Sequence, residues 1–171
     1  MAEKTNPPCL LWYSTMRLLC DHMLGSLAKW LRIFGFDTFY PDALMNDDHI
    51  LEIAKREKRL LISRDKELLM RGKKEQVNVL EIKTTNLTEQ VKHVLNEIPI
   101  DSKKFLTRCT VCNTVLDTVE KKEIKNHVPL KVFETRDQFW HCSVCNKYYW
   151  MGTHYENMIE KINTLTNKKN R

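Results

Sequence analysis

The chain has 171 residues, of which 42% are hydrophobic, so it can bury one ordinary core or a core of about 100 residues beside a small satellite module. Lys and Arg exceed Asp and Glu by 28 to 22, and the net charge of +6 favours a polyanionic partner such as nucleic acid. No apolar run approaches the roughly 18 residues of a membrane span, and the polar start is unlike a signal peptide. We therefore expect a cytoplasmic protein with no membrane segment.

Strands and helices alternate after a leader over residues 1–16 that we predict to be flexible. A strand over 17–20 precedes a helix whose apolar side chains recur at helical spacing, and Gly35 lies where a left-handed C-terminal cap belongs. A strand over 36–40 comes next. It leads into a second helix, for which Asn46 is the predicted N-terminal cap.

The same alternation continues up to residue 100. A buried strand over 60–63 leads into a helical turn that Gly72 is predicted to end. A fourth strand over 77–82 leads into a last helix that Pro99 stops. Residues 17–100 are therefore predicted to form an α/β domain, with a mostly parallel sheet of about four strands flanked by helices on both faces.

Acidic residues lie at the predicted carboxyl edge of this sheet. Asp21 directly follows the first strand. Asp47 and Asp48 open the second helix, and Asp65 lies just beyond the third strand. Ligands of open α/β folds bind at this edge, and closely packed carboxylates repel each other unless a cation binds them. The sequence thus predicts a site for Mg²⁺ or Mn²⁺, which prefer carboxylate oxygens and orient a water for attack on a phosphodiester.

Two other interpretations of these acids stay open at this point. An Asp at the start of a helix is often only an N-terminal cap, and two caps and a turn residue explain much of the pattern. A phosphoacceptor receiver domain also places acids at this edge, but it would have an acidic pair at the first strand and a fifth strand. Here His22 follows Asp21, and four strands are predicted.

Two Cys-x-x-Cys pairs give the most specific metal signal in the chain. The four cysteines are Cys109, Cys112, Cys142 and Cys145. Two such pairs close a tetrahedral four-sulfur zinc site with no open position, which makes the site structural rather than catalytic. Asn113 and Asn146 directly follow the pairs, and Asn tolerates the left-handed conformation that finishes a metal-binding turn. We therefore predict a zinc ribbon over residues 105–152.

The ribbon requires strands, and we predict a hairpin formed by strands over 130–133 and 138–141. Aromatic residues after the second cysteine pair could stack on unpaired bases, although we favour a miniature core around the metal. A capping-box pattern beginning at Thr153 predicts a final helix over 153–166, ahead of a basic tail over 167–171. Loss of zinc is expected to unfold the ribbon and leave the first domain largely folded.

Several segments of the chain resemble motifs of a known family. Residues 21–38, Asp-His-Met-Leu-Gly-Ser-Leu-Ala-Lys-Trp-Leu-Arg-Ile-Phe-Gly-Phe-Asp-Thr, resemble the opening motif of the Mut-seven C-terminal ribonuclease family. Asp47 and Asp48, followed by Leu51 and Ala54, resemble its second motif, and residues 59–69, Arg-Leu-Leu-Ile-Ser-Arg-Asp-Lys-Glu-Leu-Leu, resemble its third. Both cysteine pairs and their flanking residues match as well, so the resemblance extends from Arg17 to about Leu165.

This resemblance implies a PIN-like fold with an appended zinc ribbon and metal-dependent ribonuclease activity. Carried over position by position, the acids are Asp21, Asp48 and Asp65, with Asp47 as the alternative to Asp48. PIN nucleases commonly present a fourth acid, whereas residues 83–86 after the fourth strand are Lys-Thr-Thr-Asn. The chain therefore departs from the PIN pattern at the second metal position.

Two functions agree with these features. One is an endoribonuclease that cuts single-stranded or loop RNA, with the ribbon helping to hold the substrate; a toxin of a toxin-antitoxin pair is a variant of it. The other is a noncatalytic RNA-binding or ribosome-associated protein that binds ribosomal or other structured RNA. The predicted phosphate contacts are Lys29, Arg32, Arg64 and Lys66. The oligomeric state is left open.

Overall fold

A computed structural model of the chain describes residues 16–153, 156, 157 and 160. The predicted leader before residue 16, most of the predicted final helix over 153–166 and the basic tail over 167–171 lie outside the described residues. No helix in the described part is long and apolar enough to cross a membrane.

Four short parallel strands form the sheet of the first domain. They are β1 (Arg17–Cys20), β2 (Asp37–Phe39), β3 (Leu60–Ser63) and β4 (Val79–Glu81), in the order β2-β1-β3-β4. The helices that alternate with them are α1 (Gly25–Ile33), α2 (Asp47–Arg56), α3 (Lys66–Lys74) and α4 (Leu87–Glu97). The predicted parallel α/β arrangement is confirmed.

Helices cover both faces of this sheet and bury two apolar cores. One core packs α1 and α4 against Leu18, Cys20 and Ile62, and the other packs α2 and α3 against Leu19 and Leu61. All five of these strand residues are fully buried. Because successive side chains of a strand point to opposite faces, a strand covered on both faces must be apolar throughout. This requirement explains the uninterrupted apolar runs of β1 and β3.

Two local predictions are confirmed and one is wrong. Gly35 has a φ of +85° after α1, and the side chain of Asn46 caps α2. Gly72 does not end α3, which continues to Lys74. Gly72 instead packs against β4, since a Cβ at this position would lie 3.1 Å from Val79 Cγ1. The glycine therefore allows the helix to approach the sheet closely.

An antiparallel sheet of three strands forms the C-terminal module. The strands are β5 (Asp117–Val119), β6 (Phe139–Cys142) and β7 (Lys147–Trp150), in the order β5-β6-β7. The predicted hairpin of 130–133 with 138–141 is wrong, because Leu130–Thr135 forms the short helix α5. Pro129, with a φ of −57°, precedes this helix, and its carbonyl accepts the first helical hydrogen bonds.

Candidate active site and metal centre

Asp21 and Asp65 lie at the carboxyl edge of the parallel sheet and are linked through Ser63. Asp21 is 3% exposed; its Oδ1 accepts the N–H of Met23 at 2.6 Å, and its Oδ2 accepts the hydroxyl of Ser63. The Ser63 Oγ in turn accepts the backbone N–H of Asp65 at 2.8 Å. One fully buried hydroxyl at the end of β3 thus connects the first and the third of the predicted acids.

Asp65 also caps a helix, as the alternative interpretation of the acids expects. Its Oδ1 accepts the N–H of Glu67 at 2.7 Å and the N–H of Leu68 at 3.2 Å at the start of α3. The residue is exposed. Both bonds use Oδ1, so capping does not occupy the second carboxylate oxygen of Asp65.

Asp47 and Asp48 lie in the first turn of α2 and both face Arg71 of α3. Arg71 Nη1 is 3.6 Å from Asp47 Oδ2, and Arg71 Nη2 contacts Asp48 Oδ1 more closely. The two aspartate side chains are 50% and 79% exposed. Among the described residues, the one group of three or more Asp, Glu, His or Cys side chains that is placed to hold a metal ion consists of four cysteines. Asp48 is therefore not gathered with Asp21 and Asp65 into one cluster.

The four predicted phosphate contacts lie in two kinds of environment. Lys29 and Lys66 are exposed and Arg64 is half-buried, so all three remain candidates for contact with phosphate. Arg32 is only 5% exposed, and its guanidinium donates to three backbone carbonyls. Arg32 is therefore not accessible for contact with phosphate, which corrects the prediction. Its side chain instead forms hydrogen bonds inside the protein.

The sulfur atoms of both cysteine pairs converge at one point. All four Sγ atoms lie within 4.8 Å of one another; Cys112 and Cys142 are 3.3 Å apart, and Cys109 and Cys145 are 3.9 Å apart. Tetrahedral zinc with Zn–S bonds of about 2.3 Å requires sulfur separations of about 3.8 Å. The described cysteines form no disulfide. The four cysteines are therefore arranged to hold one metal ion, and the donor set fits zinc.

The turns around the cysteines have the geometry that the sequence predicts. Asn113 has a φ of +73° and Asn146 a φ of +51°. The Asn113 N–H donates to the Cys109 carbonyl at 3.0 Å, and the Asn146 N–H donates to the Cys142 carbonyl at 2.8 Å. Tyr149 Oη lies 3.1 Å from Cys109 Sγ, so an aromatic residue of β7 supports the sulfur cluster directly.

Other aromatic residues of the ribbon pack on one another. Tyr148 stacks on His127 at a centroid distance of 4.8 Å and contacts the ring of His141 at 4.7 Å. Phe139 is 2% exposed. These contacts agree with a miniature core beside the metal site. Cys20 lies apart, within the first domain, where burial raises the pKa of its thiol.

Two residues of the site were missed in the sequence analysis. Ser63 joins two predicted acids, and the signal for it was a hydroxyl residue at the carboxyl end of a buried strand, two positions before Asp65. Arg71 pairs with the acids of the neighbouring helix, and no local pattern indicates that contact.

The fold and the site define a class of protein: a doubly wound α/β domain with acids at the carboxyl edge of its sheet, joined to a four-cysteine metal-binding ribbon. A family model described as the Mut7-C RNAse domain matches residues 16–162, and the chain belongs to this family. The match spans both the parallel sheet and the ribbon, so the family assignment made from the motifs is confirmed. A comparison with curated proteins finds no match for the chain.

Proposed function

We propose that the chain is a metal-dependent endoribonuclease that hydrolyses RNA phosphodiesters at the carboxyl edge of the parallel sheet. Membership of an RNAse domain family supports a ribonuclease-type function with RNA as the substrate. The proposed location of the site rests on one observation: hydrogen bonds link Asp21 through Ser63 to Asp65. This link holds two acids, which follow different strands, at the edge where ligands of α/β folds bind.

Asp21, Asp48 and Asp65 are the residues that would hold Mg²⁺ or Mn²⁺. When bound, such an ion neutralises charge on a phosphodiester and lowers the pKa of a bound water. Ser63 restricts the orientation of the Asp21 carboxylate, and the start of α3 holds that of Asp65. These restraints keep two of the three ligands in place before any RNA arrives.

Asp48 must part from Arg71 to join the other two acids. An exposed ion pair of this kind contributes only about 0–1 kcal/mol, so the rearrangement costs little compared with binding a divalent ion. Asp47 contacts the same Arg71 and is the alternative ligand. In this proposal Arg71 pairs with the acids of α2 until the ion competes for them.

The ion at the four cysteines is proposed to be zinc, in a structural role. Four thiolates fill a tetrahedral site and leave no position for a water, so this ion would not act on the RNA directly. Free thiols suit a reducing compartment, and a cytoplasmic location is part of this proposal. The ribbon would help to hold the RNA beside the acidic edge.

A noncatalytic RNA-binding protein, bound to ribosomal or other structured RNA, is the second candidate. One observation favours it specifically: the acids of α2 pair with Arg71 instead of standing with Asp21 and Asp65. Residues 83–86 supply no acid either. In this alternative, Asp65 acts as a cap and Asp21 as a turn residue of the fold.

Cleavage of RNA by the zinc-loaded chain tests the proposal. Single-stranded and structured RNAs are incubated with the zinc-loaded chain in Mn²⁺, in Mg²⁺ and without either ion, at equal ionic strength and without a chelator, which would also remove the zinc. We expect internal cuts that require added Mn²⁺ or Mg²⁺, because the acids need a cation to act on a phosphodiester. RNA that is bound but stays intact in every condition would replace the nuclease with the noncatalytic alternative.

Reversing the charge of Arg64 should weaken RNA binding and reduce its dependence on salt. A residue that neutralises one phosphate contributes about one to the slope of log affinity against log salt concentration, so Arg64→Glu should lower that slope by about one. Lys73→Glu is the matched control, because Lys73 is exposed near the opposite end of the adjacent helix α3. Binding is measured by fluorescence anisotropy at several salt concentrations. If both variants change RNA affinity and its salt dependence equally, Arg64 makes no specific contact with the RNA.

A further inference from the structure

The first metal-binding turn, residues 109–113, covers the free edge of the parallel sheet. β2 is an edge strand that pairs with β1. Away from β1, the Thr38 N–H donates to Asn113 Oδ1 at 3.0 Å, and the Thr38 carbonyl accepts Arg32 Nε at 3.0 Å. Thr38 is fully buried. Since buried backbone groups need hydrogen-bond partners, the turn supplies one that the sheet itself lacks.

Arg32 joins the same turn to the core of the first domain. This residue of α1 donates from Nη1 to the Val111 carbonyl at 2.7 Å and to the Thr110 carbonyl at 3.2 Å. Thr110 and Val111 lie between Cys109 and Cys112, so the path of the metal-binding turn determines where these carbonyls are. Removing these acceptors leaves N–H groups of a buried, charged guanidinium without hydrogen-bond partners, which is destabilising.

Asn113 extends the contact further into the sheet through Asp37. Asn113 Nδ2 donates to Asp37 Oδ1 at 2.8 Å, and the same oxygen accepts Arg59 Nη1 at 2.8 Å. Arg59 is 8% exposed and also donates to the Leu18 carbonyl in β1 at 3.1 Å. Burial acts to raise the pKa of Asp37, but hydrogen bonds from Arg59 and Asn113 hold it below its ordinary value. A hydrogen-bond network thus runs from the first turn to β1.

The second metal-binding turn, residues 142–146, makes different contacts. Asn146 has the same position after its cysteine pair as Asn113 and the same left-handed backbone. Its side-chain oxygen, however, lies 2.9 Å from His141 Nε2, within the ribbon. The two asparagines therefore share their local geometry and differ in what their side chains bind.

We infer that metal binding by the cysteines is part of the folding of the first domain, in contrast to the separable ribbon expected from the sequence. The ion holds the first turn in the shape that satisfies Thr38 and Arg32, so loss of the ion loosens the β2 edge of the sheet. The inference rests on the proposed zinc site and is independent of ribonuclease activity.

Hydrogen exchange of the full chain with and without zinc tests this inference. Zinc removal should speed exchange of the Thr38 amide by about tenfold or more, the factor that corresponds to loss of one hydrogen bond. β4 forms the opposite edge of the sheet and serves as the internal reference. Loss of protection in β6 and β7 with unchanged rates at Thr38 would overturn the inference. A chain that binds no zinc at all would overturn the zinc assignment together with it.

Paired glycine variants test the coupling with the metal still bound. Glycine adopts the left-handed backbone readily, so Asn113→Gly and Asn146→Gly each remove a side chain and preserve the turn. Both variants should keep about one zinc ion per chain. With zinc bound, Asn113→Gly should speed exchange at Thr38 by about tenfold, and Asn146→Gly should leave it unchanged. Equal protection of Thr38 in wild type and both variants would show that Asn113 does not couple the metal site to the sheet.

Discussion

Replacing Cys112 with Ser should reduce bound zinc from about one ion per chain to a small fraction, and it should lower the melting temperature sharply. Zinc binding in small structural sites contributes about 10–16 kcal/mol, and three remaining thiolates hold the ion far more weakly. The antiparallel sheet of the ribbon has short strands, so it has little apolar burial to replace the metal. Metal analysis by mass spectrometry and thermal unfolding measure the two effects.

Cys20→Ala is the control for this loss of zinc. Cys20 is fully buried in the first domain and belongs to its apolar core, not to the sulfur cluster. Removing its sulfur leaves a small cavity that costs about 1 kcal/mol, with zinc still at about one ion per chain. Zinc near zero in wild-type protein purified without chelator, or full zinc in Cys112→Ser, would contradict the assignment.

The metal site could be predicted from sequence because its information is local. Each Cys-x-x-Cys pair forms its turn within five residues, and the Asn after each pair supplies the left-handed backbone that the turn needs. The parallel sheet was predictable for a similar reason, since apolar periodicity alternates between strand and helix. Both predictions depend on spacing over a few residues.

Two of the errors concern contacts between different elements of the fold, which the spacing within one element does not report. Arg32 looks like a surface cation on its helix, and it is buried by a turn 78 residues later. Gly72 looks like a helix stop, and it is instead the contact point with β4. Periodicity does not report which neighbour will cover a residue.

The positions of the acids could be predicted from the sequence only in part. Topology correctly places Asp21 and Asp65 after β1 and β3, because parallel strands end at one edge. It does not reveal that Arg71 of the next helix forms ion pairs with Asp47 and Asp48. The proposed third ligand is therefore held in an ion pair between two helices.

Asp65→Asn should abolish metal-dependent cleavage while leaving the fold almost as stable as wild type. Asn and Asp are about equally good N-terminal caps, so an amide oxygen can accept the N–H groups of Glu67 and Leu68. The lost charge weakens binding of a divalent ion, whose contribution of several kcal/mol corresponds to a rate loss of about 100-fold or more. Single-turnover cleavage in Mn²⁺ measures the rate.

Asp65→Ala separates the two roles of this residue, because it removes the cap as well as the charge. It should cut no better than Asp65→Asn, but it should unfold more easily, by about 0.5–2 kcal/mol. Mn²⁺ should raise the melting temperature of wild type more than that of either variant, since an ion stabilises only the fold that binds it. All three proteins should still bind RNA through Arg64 and Lys66. If Asp65→Asn cuts as fast as wild type, Asp65 is only the cap of α3, and the nuclease site must be sought at other residues.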